Sequence, residues 1–273
     1  MPKVITSRDN SLLRHARKVR EGKVDDEIFV EGLRLCEEAL SSHLQITAVI
    51  FLDDIAQKPR ANRFLIEVSE VCNRVVAVSE KLLATISYTE TPQGIVVLAQ
   101  RPESGEHVLT RTAFKTALLV VMHGLNNPVN VGAILRTAES AGATGVITTT
   151  NTTDLFSPKA LRGAMGSAFR LPIWQGAPFN HVLRWCAQRN ITTVSTDVSG
   201  PTVYTDFDWN TPSALVIGPE ANGLSSDEIN ATTAAIKIPM HGSVESLNVA
   251  VATAIVLYEA ARQRCKLTPQ VLS

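Results

Sequence analysis

The sequence has no net charge: 26 Lys and Arg balance 26 Asp and Glu over 273 residues. That balance excludes a protein that coats polyanions by bulk attraction to phosphate, so any nucleic-acid contact has to come from local patches. Cysteine is scarce as well. Cys36, Cys72, Cys186 and Cys265 lie far apart, form no CxxC or Cys/His ligand spacing, and belong to a chain too large to need stapling. They read as reduced, mostly buried thiols of a cytoplasmic protein, with no metal site. The longest apolar run, 249–258, falls short of the roughly 20 residues that span a bilayer, and the N-terminus shows neither an apolar h-region nor a small-residue cleavage site. Neither membrane insertion nor secretion is expected. GxxxxGKS or GxxxxGKT, GxGxxG after a first strand, HExxH and GxSxG are all missing, which removes the usual support for nucleotide hydrolysis, dinucleotide oxidation, zinc proteolysis and serine-esterase chemistry.

What is present is an apolar content of 45%, ample for real cores, in a chain whose length suggests two domains. Short hydrophobic runs alternate with helix-period segments along almost the whole length, the pattern of α/β domains. In the first half the pattern predicts a basic helix over 11–19, helices over 32–40 and 63–71, and strands at 28–30, 46–52, 75–78 and 95–98. These make a compact unit over residues 1–100. A polar stretch with Pro and Gly, 101–112, reads as a linker. The second domain, 113–273, opens on a run at 117–122 that is apolar without alternation, as in a strand buried on both faces. Further strands are predicted at 146–149, 192–195, 214–217 and 236–239, in a mostly parallel sheet with crossover helices. One basic patch stands out: seven Lys or Arg precede residue 24 against Asp9 and Glu21, either a nucleic-acid contact or a solvated helix face.

Three blocks in the second half carry Gly, Asn, Ser or a lone charge where a strand should end, which is where open α/β sheets build their sites. In NVGAILRTAESAGATGV, from Asn130, a predicted helix carries Asn130 and Arg136 about 120° apart, so each would serve a different wall of a site. Taken alone, the block also fits Asn130 as a cap and Arg136 as a solvated charge. In LVIGPEANGLS, from Leu215, Gly218 and Pro219 end a strand and Glu220 follows at once. A carboxylate there needs a cation or backbone donors, or is a satisfied structural acid. In IPMHGSVESLNVAVATAIVLYE, residues 238–259, a strand ends at Ile238, Pro239 and Met240, and a helix begins near Ser246 with Leu247 and Asn248. Ser246 reads there as an N-cap. His123 and His241 lie in the same loops and receive no role.

The NxxxxxR of the first block, the GPExxG of the second and the IPM with S-x-N of the third resemble the three motifs of the SpoU (TrmH-like) RNA ribose methyltransferases of the SPOUT superfamily, over about 116–264. The first half, with FVEGLRLCEEAL from Phe29 and SYTETPQGIVVLA from Ser87, is similar to the substrate-binding domain that precedes the catalytic one in this family. The resemblance implies a C-terminal SPOUT α/β trefoil-knot domain preceded by a small ribosomal-protein-like α/β domain. It implies S-adenosylmethionine as methyl donor and a homodimer. Asn130, Arg136, Glu220, Ser246 and Asn248 match the family's catalytic-motif positions, and Gly218, Ile238, Met240 and Leu247 match those that hold the donor.

The reaction so implied is methylation of an RNA ribose 2′-hydroxyl, with rRNA expected ahead of tRNA because the leading domain is of the kind linked to rRNA-modifying members. An arginine with a pKa above about 12 is a poor base. Arg136 is therefore expected to bind a phosphate and stabilise the developing alkoxide at least as much as to take a proton. The competing readings are a non-catalytic RNA-binding or ribosome-assembly factor that keeps the fold, and a small-molecule α/β enzyme.

Overall fold

The computed structural model describes residues 3–111, 114–244 and 246–265. Its strands are β1 (Lys3–Ile5), β2 (Glu27–Glu31), β3 (Ile46–Leu52), β4 (Val75–Val78), β5 (Ile95–Gln100), β6 (Leu118–Met122), β7 (Gly145–Thr149), β8 (Ile173–Ala177), β9 (Thr192–Thr196), β10 (Thr202–Val203), β11 (Ser213–Ile217) and β12 (Ala234–Lys237). Its helices are α1 (Ser11–Arg20), α2 (Leu33–Ser41), α3 (Pro59–Val71), α4 (Glu80–Ala84), α5 (Glu106–Leu109), α6 (Pro128–Ser140), α7 (Pro158–Ala164), α8 (Ser167–Arg170), α9 (Phe179–Gln188), α10 (Ser226–Ala231) and α11 (Val249–Cys265). The chain divides into two compact units.

The first unit comprises Met1–Pro102 together with Phe156–Arg170. The second of these segments falls inside the predicted second domain, yet it groups with the first unit. The sheet has five strands in the order β1-β4-β3-β5-β2, one more than the pattern predicted, because the three-residue β1 is too short to show a period. β3 runs parallel to β4 and antiparallel to β5, which pairs antiparallel with the edge strand β2. Helix α1 is amphipathic: Leu12, Leu13, Ala16 and Val19 face the core, which includes Phe29 of β2 and Leu98 of β5. Asn10 caps it by accepting the Leu12 N–H at 2.9 Å, and Arg17, Lys18 and Arg20 fill its last turn, where the helix dipole favours cations. Burial drives the Cys36 thiol far above its ordinary pKa, so it stays protonated and inert.

The second unit comprises Glu103–Leu155 and Leu171–Ser273. Its seven strands lie in the order β10-β12-β9-β11-β6-β7-β8, and every recorded pairing is parallel. β6, β7 and β11 are buried along their whole length, which explains the unbroken apolar run of β6 and the few polar residues, Thr148, Thr149 and Ser213, in the other two. Helices α6 and α11 pack against each other, while α9, with Val182, Trp185 and Cys186, packs on Leu119 and Val121 of β6 and Val216 of β11. Two expectations are corrected. The predicted linker holds α5, whose Leu109 is fully buried in that core. The last strand ends at Lys237, where its pairing partners run out at Thr196 and Val203, so Ile238, Pro239 and Met240 belong to the loop that follows. Among the described residues no helix is long and apolar enough to cross a membrane, and no His/Cys/Asp/Glu group is arranged to hold a metal.

Candidate active site

β6 and β11 are neighbours at the centre of the seven-stranded sheet, paired from Leu118 with Ser213 to Met122 with Ile217. The chain leaves β6 toward β7 on one side and leaves β11 toward β12 on the other. The two loops diverge there, at the switch point where a doubly wound sheet opens a crevice. Residues 123–127 form the first loop and 218–225 the second.

Local chemistry shapes both. The His123 N–H donates to Ile217 O at 2.8 Å, extending the ladder one step beyond β6. Gly124 then turns the chain at φ +64°, and a Cβ there would stand 3.2 Å from Pro219 Cγ, so the turn and the approach both favour glycine. Asn127 caps α6 by accepting the Val129 N–H at 2.9 Å, and Pro128 fills the first helical position. Asn130 is thereby free of the capping role. In the second loop, a Cβ on buried Gly218 would lie 2.6 Å from Leu224 N and 2.8 Å from the carbonyl carbon of Gly223. The loop folds back onto its own strand end only because residue 218 has no side chain.

Glu220 meets its requirement for donors with backbone amides and an amide side chain, and the guanidinium of Arg136 takes no part. Its carboxylate accepts the N–H of Asn126 at 3.3 Å, the N–H of Asn127 at 3.2 Å and Asn130 Nδ2 at 3.3 Å. Partial burial raises the pKa of Glu220. Hydrogen bonds from its own N–H, from Asn126, from the Asn130 amide and from Asn127 outweigh that burial and leave it below the ordinary carboxylate value. The first two donors lie at the N-terminal end of α6, where a negative charge is also favoured by the helix dipole.

From Glu220 a hydrogen-bonded chain runs to a second helix. A carboxylate can only accept, so Asn130 must turn Nδ2 toward it and leave Oδ1 to accept Asn248 Nδ2 at 3.2 Å. Asn248 in turn must present Oδ1 to α11, where it accepts the N–H of Ala250 at 2.9 Å and of Val251 at 3.4 Å. Asn248, and not Ser246, therefore caps this helix, which starts at Val249, three residues later than the sequence suggested. Each amide has one permitted orientation. The chain joins all three sequence blocks through residues up to 118 positions apart.

The other expected residues are not part of that chain. Arg136 is exposed on α6 and, among the described residues, makes no hydrogen bond or ion pair, so its five donors remain free. Ser246 is exposed in the preceding loop, while Ile238, Met240 and Leu247 are half-buried. Sequence reasoning missed a second polar cluster on the opposite face of β6. His123 Nδ1 pairs with Thr149 Oγ1 at 2.9 Å and its Nε2 with Glu228 Oε1 at 2.9 Å, while its ring lies 4.3 Å from that of Phe179. Glu228 also accepts from Ser225 N and Oγ, and Ser225 Oγ accepts the Glu228 N–H, completing a capping box on α10. Partial burial raises the Glu228 pKa, but the bonds from Ser225 and His123 prevail and lower it. The visible signal was the S-x-x-E spacing from Ser225. These contacts tie the far end of the second loop to β6 and β7.

Comparison with known proteins gives the family. Residues 117–258 match the SpoU rRNA Methylase family, and residues 12–97 match the MRM3-like substrate binding domain. The chain is 30% identical over 259 residues to the 23S rRNA (guanosine(2553)-2'-O)-methyltransferase RlmP of Bacillus subtilis, covering 94% of this chain and 98% of that one. It is 35% identical over 181 residues to the 23S rRNA (uridine(2479)-2'-O)-methyltransferase of Streptomyces viridochromogenes, covering 64% of this chain and 62% of that one. Among solved structures, the SpoU methyltransferase AviRb from Streptomyces viridochromogenes in complex with the cofactor AdoMet superposes with a TM-score of 0.84 at 27% identity, over 94% of this chain and 98% of that one. By the span of the family match, the near-complete overlap with these relatives and the α/β fold it shares with them, the chain belongs to the SpoU rRNA methylase family.

Proposed function

We propose that the protein transfers the methyl group of S-adenosylmethionine to a ribose 2′-hydroxyl of structured RNA, with 23S-type rRNA as substrate. The single observation that carries the reading is the oriented chain Glu220–Asn130–Asn248, which fixes three loops at a switch point and leaves the Arg136 guanidinium unengaged. The choice of rRNA rests on a relative that aligns with this chain over nearly its whole length, first unit included, and is named for 23S rRNA.

The residues present fit the donor. Gly218 lets its loop fold back onto the strand end, and the half-buried apolar side chains of Ile238, Met240 and Leu247 suit a flat base and an aliphatic chain. Bound there, S-adenosylmethionine supplies an electrophilic methyl on a sulfonium. The protein's own residues supply position and charge. Arg136 holds the phosphate beside the target ribose and stabilises the oxyanion that forms as the 2′-hydroxyl attacks. Asn130, Asn248 and Glu220 hold the loops that flank the reacting groups, and Ser246 contacts substrate from the loop before α11. Holding nucleophile and methyl in line supplies much of the acceleration.

The first unit docks the RNA, and the enzyme acts in the cytoplasm as a homodimer. A second copy covers the apolar surface of the helical layer, where Val129 of α6 and Val251 and Tyr258 of α11 are each about half exposed, at 49%, 49% and 55%. The test is transfer of labelled methyl to separated rRNA and tRNA pools, with Arg136→Ala alongside. Label in rRNA that vanishes in the variant is expected. Label in tRNA alone would move the substrate class, and donor binding without transfer to either pool would favour the non-catalytic RNA-binding reading.

A further inference from the structure

Residues 1–102 carry 14 basic and 14 acidic side chains, so this part of the first unit has no net charge. Phe156–Arg170, the segment that joins it from between β7 and β8, adds Lys159, Arg162 and Arg170 and no acid. The segment is anchored at three points. Phe156 is buried beneath the Arg101 guanidinium, which lies 4.8 Å from its ring centroid. Ala160, Leu161 and Ala164 bury one face of α7, which packs on β2. Arg170 Nη1 bonds Glu38 Oε2 at 2.5 Å, beside Gly166, where a Cβ would stand 2.7 Å from the same oxygen.

What remains outward on α7 is Lys159 and Arg162. They are three residues apart and so lie on one face. Both are exposed, and among the described residues neither makes a hydrogen bond or ion pair. Helix α1 packs on the same edge strand β2 and carries a matching pair, Arg14 and Lys18, four residues apart, exposed and likewise unengaged. Segments some 140 positions apart in sequence thus bring two helices, each with a solvent-facing cation pair and no acid of its own, onto one strand. In the same unit Arg60 is paired with Glu37 and Arg63 with Glu67. These four are not.

We infer that α7, together with α1, forms a docking surface for the phosphate backbone of the RNA substrate, with Lys159 and Arg162 as its contacts from within the catalytic half of the sequence. The inference rests on the RNA-methylating function proposed above. Phosphate contacts of this kind add affinity without reading sequence, and they leave a signature in salt.

The experiment measures binding of an unmodified 23S rRNA transcript as a function of salt. It compares the wild type, Lys159→Gln/Arg162→Gln, the charge-keeping Lys159→Arg/Arg162→Lys, and a control of equal charge change at exposed sites elsewhere in the unit, Lys58→Gln/Arg74→Gln. Donor binding is measured on each. For the Gln pair, a Kd raised about tenfold or more is expected, with a log–log salt slope lowered by about 1 per side chain. The charge-keeping pair should bind as wild type does, the control should lose far less, and donor affinity should hold in all four. A Gln pair that binds RNA like the control overturns the inference while leaving the methyltransferase reading intact if the wild type still labels RNA. A wild type that neither binds nor labels any RNA overturns both.

Discussion

Each unit braces a loop with one carboxylate, and the two are built differently. In the first, Glu31 at the end of β2 accepts the Tyr88 N–H at 2.8 Å, the Thr89 N–H at 3.2 Å and the hydroxyls of Ser87 and Thr89, while Arg20 of α1 donates to Ser87 O at 2.9 Å. Hydroxyls rotate to suit either partner, so that network fixes a loop's place without fixing any side chain's direction. In the second, Glu220 accepts two backbone N–H groups and one amide, and the amide passes a definite polarity on to Asn248 and α11. Where a surface only has to present a loop, tolerant donors suffice. Where reacting groups have to meet, every donor and acceptor in the chain has one assignment.

The comparison breaks most sharply at Arg136. If the second unit supplies chemistry and the first supplies RNA affinity, Arg136→Ala should lower the single-turnover methylation rate by about 10²- to 10³-fold. RNA and donor binding should change only a few-fold. A parallel loss of RNA affinity would make Arg136 a docking residue and erase the division between the units. Arg136→Lys separates bidentate contact from charge alone, and near-full activity in that variant would rule out the bidentate role.

Next in size is reversal of the amide chain. Asn130→Asp keeps the shape but sets a second carboxylate where Nδ2 now donates to Glu220, and it offers Asn248 no worse an acceptor than before. The cost falls on the Glu220 side, where two acceptors face each other about 3.3 Å apart. Methyl transfer should fall roughly 10²-fold, and a cycle with Glu220→Gln, which restores a donor, should recover part of the loss. Strictly additive losses would mean that the two residues act independently. In the first unit, Thr89→Ser should cost almost nothing by RNA binding, because its hydroxyl can be replaced by another free to rotate.

How much of this was legible follows the range of the interaction. β3 and β4 were read to the residue, because a largely buried strand is a nearly continuous apolar run, broken here only by Thr47. β8 was missed because Gln175 and Gly176 interrupt its pattern, and its pairing with β7 is itself irregular between Ile147 and Thr149. β10 is two residues long and has no pattern to read. At the site, spacing placed Asn130, Glu220 and Asn248 at loop ends but could not say which Asn or Ser caps a helix. That choice is made by partners 90 and 118 positions away. The resemblance supplied the set of residues; the geometry supplied their roles toward one another. His123 and Glu228, 105 positions apart, carried no joint signal at all.

Acid offers a subtler separation of the units. The folded pKa of Glu220 lies below its unfolded value, so its bracing is fully present above the ordinary Glu value of about 4.3 and is lost as pH falls from there through the lower folded value. Thermal midpoints of the wild type should therefore decline on acidification through that window, and Glu220→Gln should decline less steeply. Glu228 is lowered as well and titrates in the same window, so the variant flattens the profile only in part. An identical pH dependence in both proteins would show that the carboxylate is held no more tightly in the folded state than in the unfolded one.

The smallest effect is expected at Arg20, and it tests whether the basic helix serves the first unit by charge or by architecture. Its guanidinium already has an occupation: Nη1 donates to Ser87 O, behind the loop that Glu31 braces, and Nη2 lies 3.3 Å from Glu21. Arg20→Ala should thus remove two charge-assisted contacts, of which the bond to Ser87 O carries most of a cost of about 1.5 kcal/mol, a midpoint shift of roughly 3–6 °C, with little change in the salt dependence of RNA binding. Lys18→Ala, one helical turn from solvent-facing Arg14 and bound to nothing, should do the reverse, leaving the midpoint in place and lowering the salt slope. If both variants lower the slope equally, the loop contact of Arg20 gives way when RNA arrives, and the first unit's surface is less fixed than its tolerant network suggests.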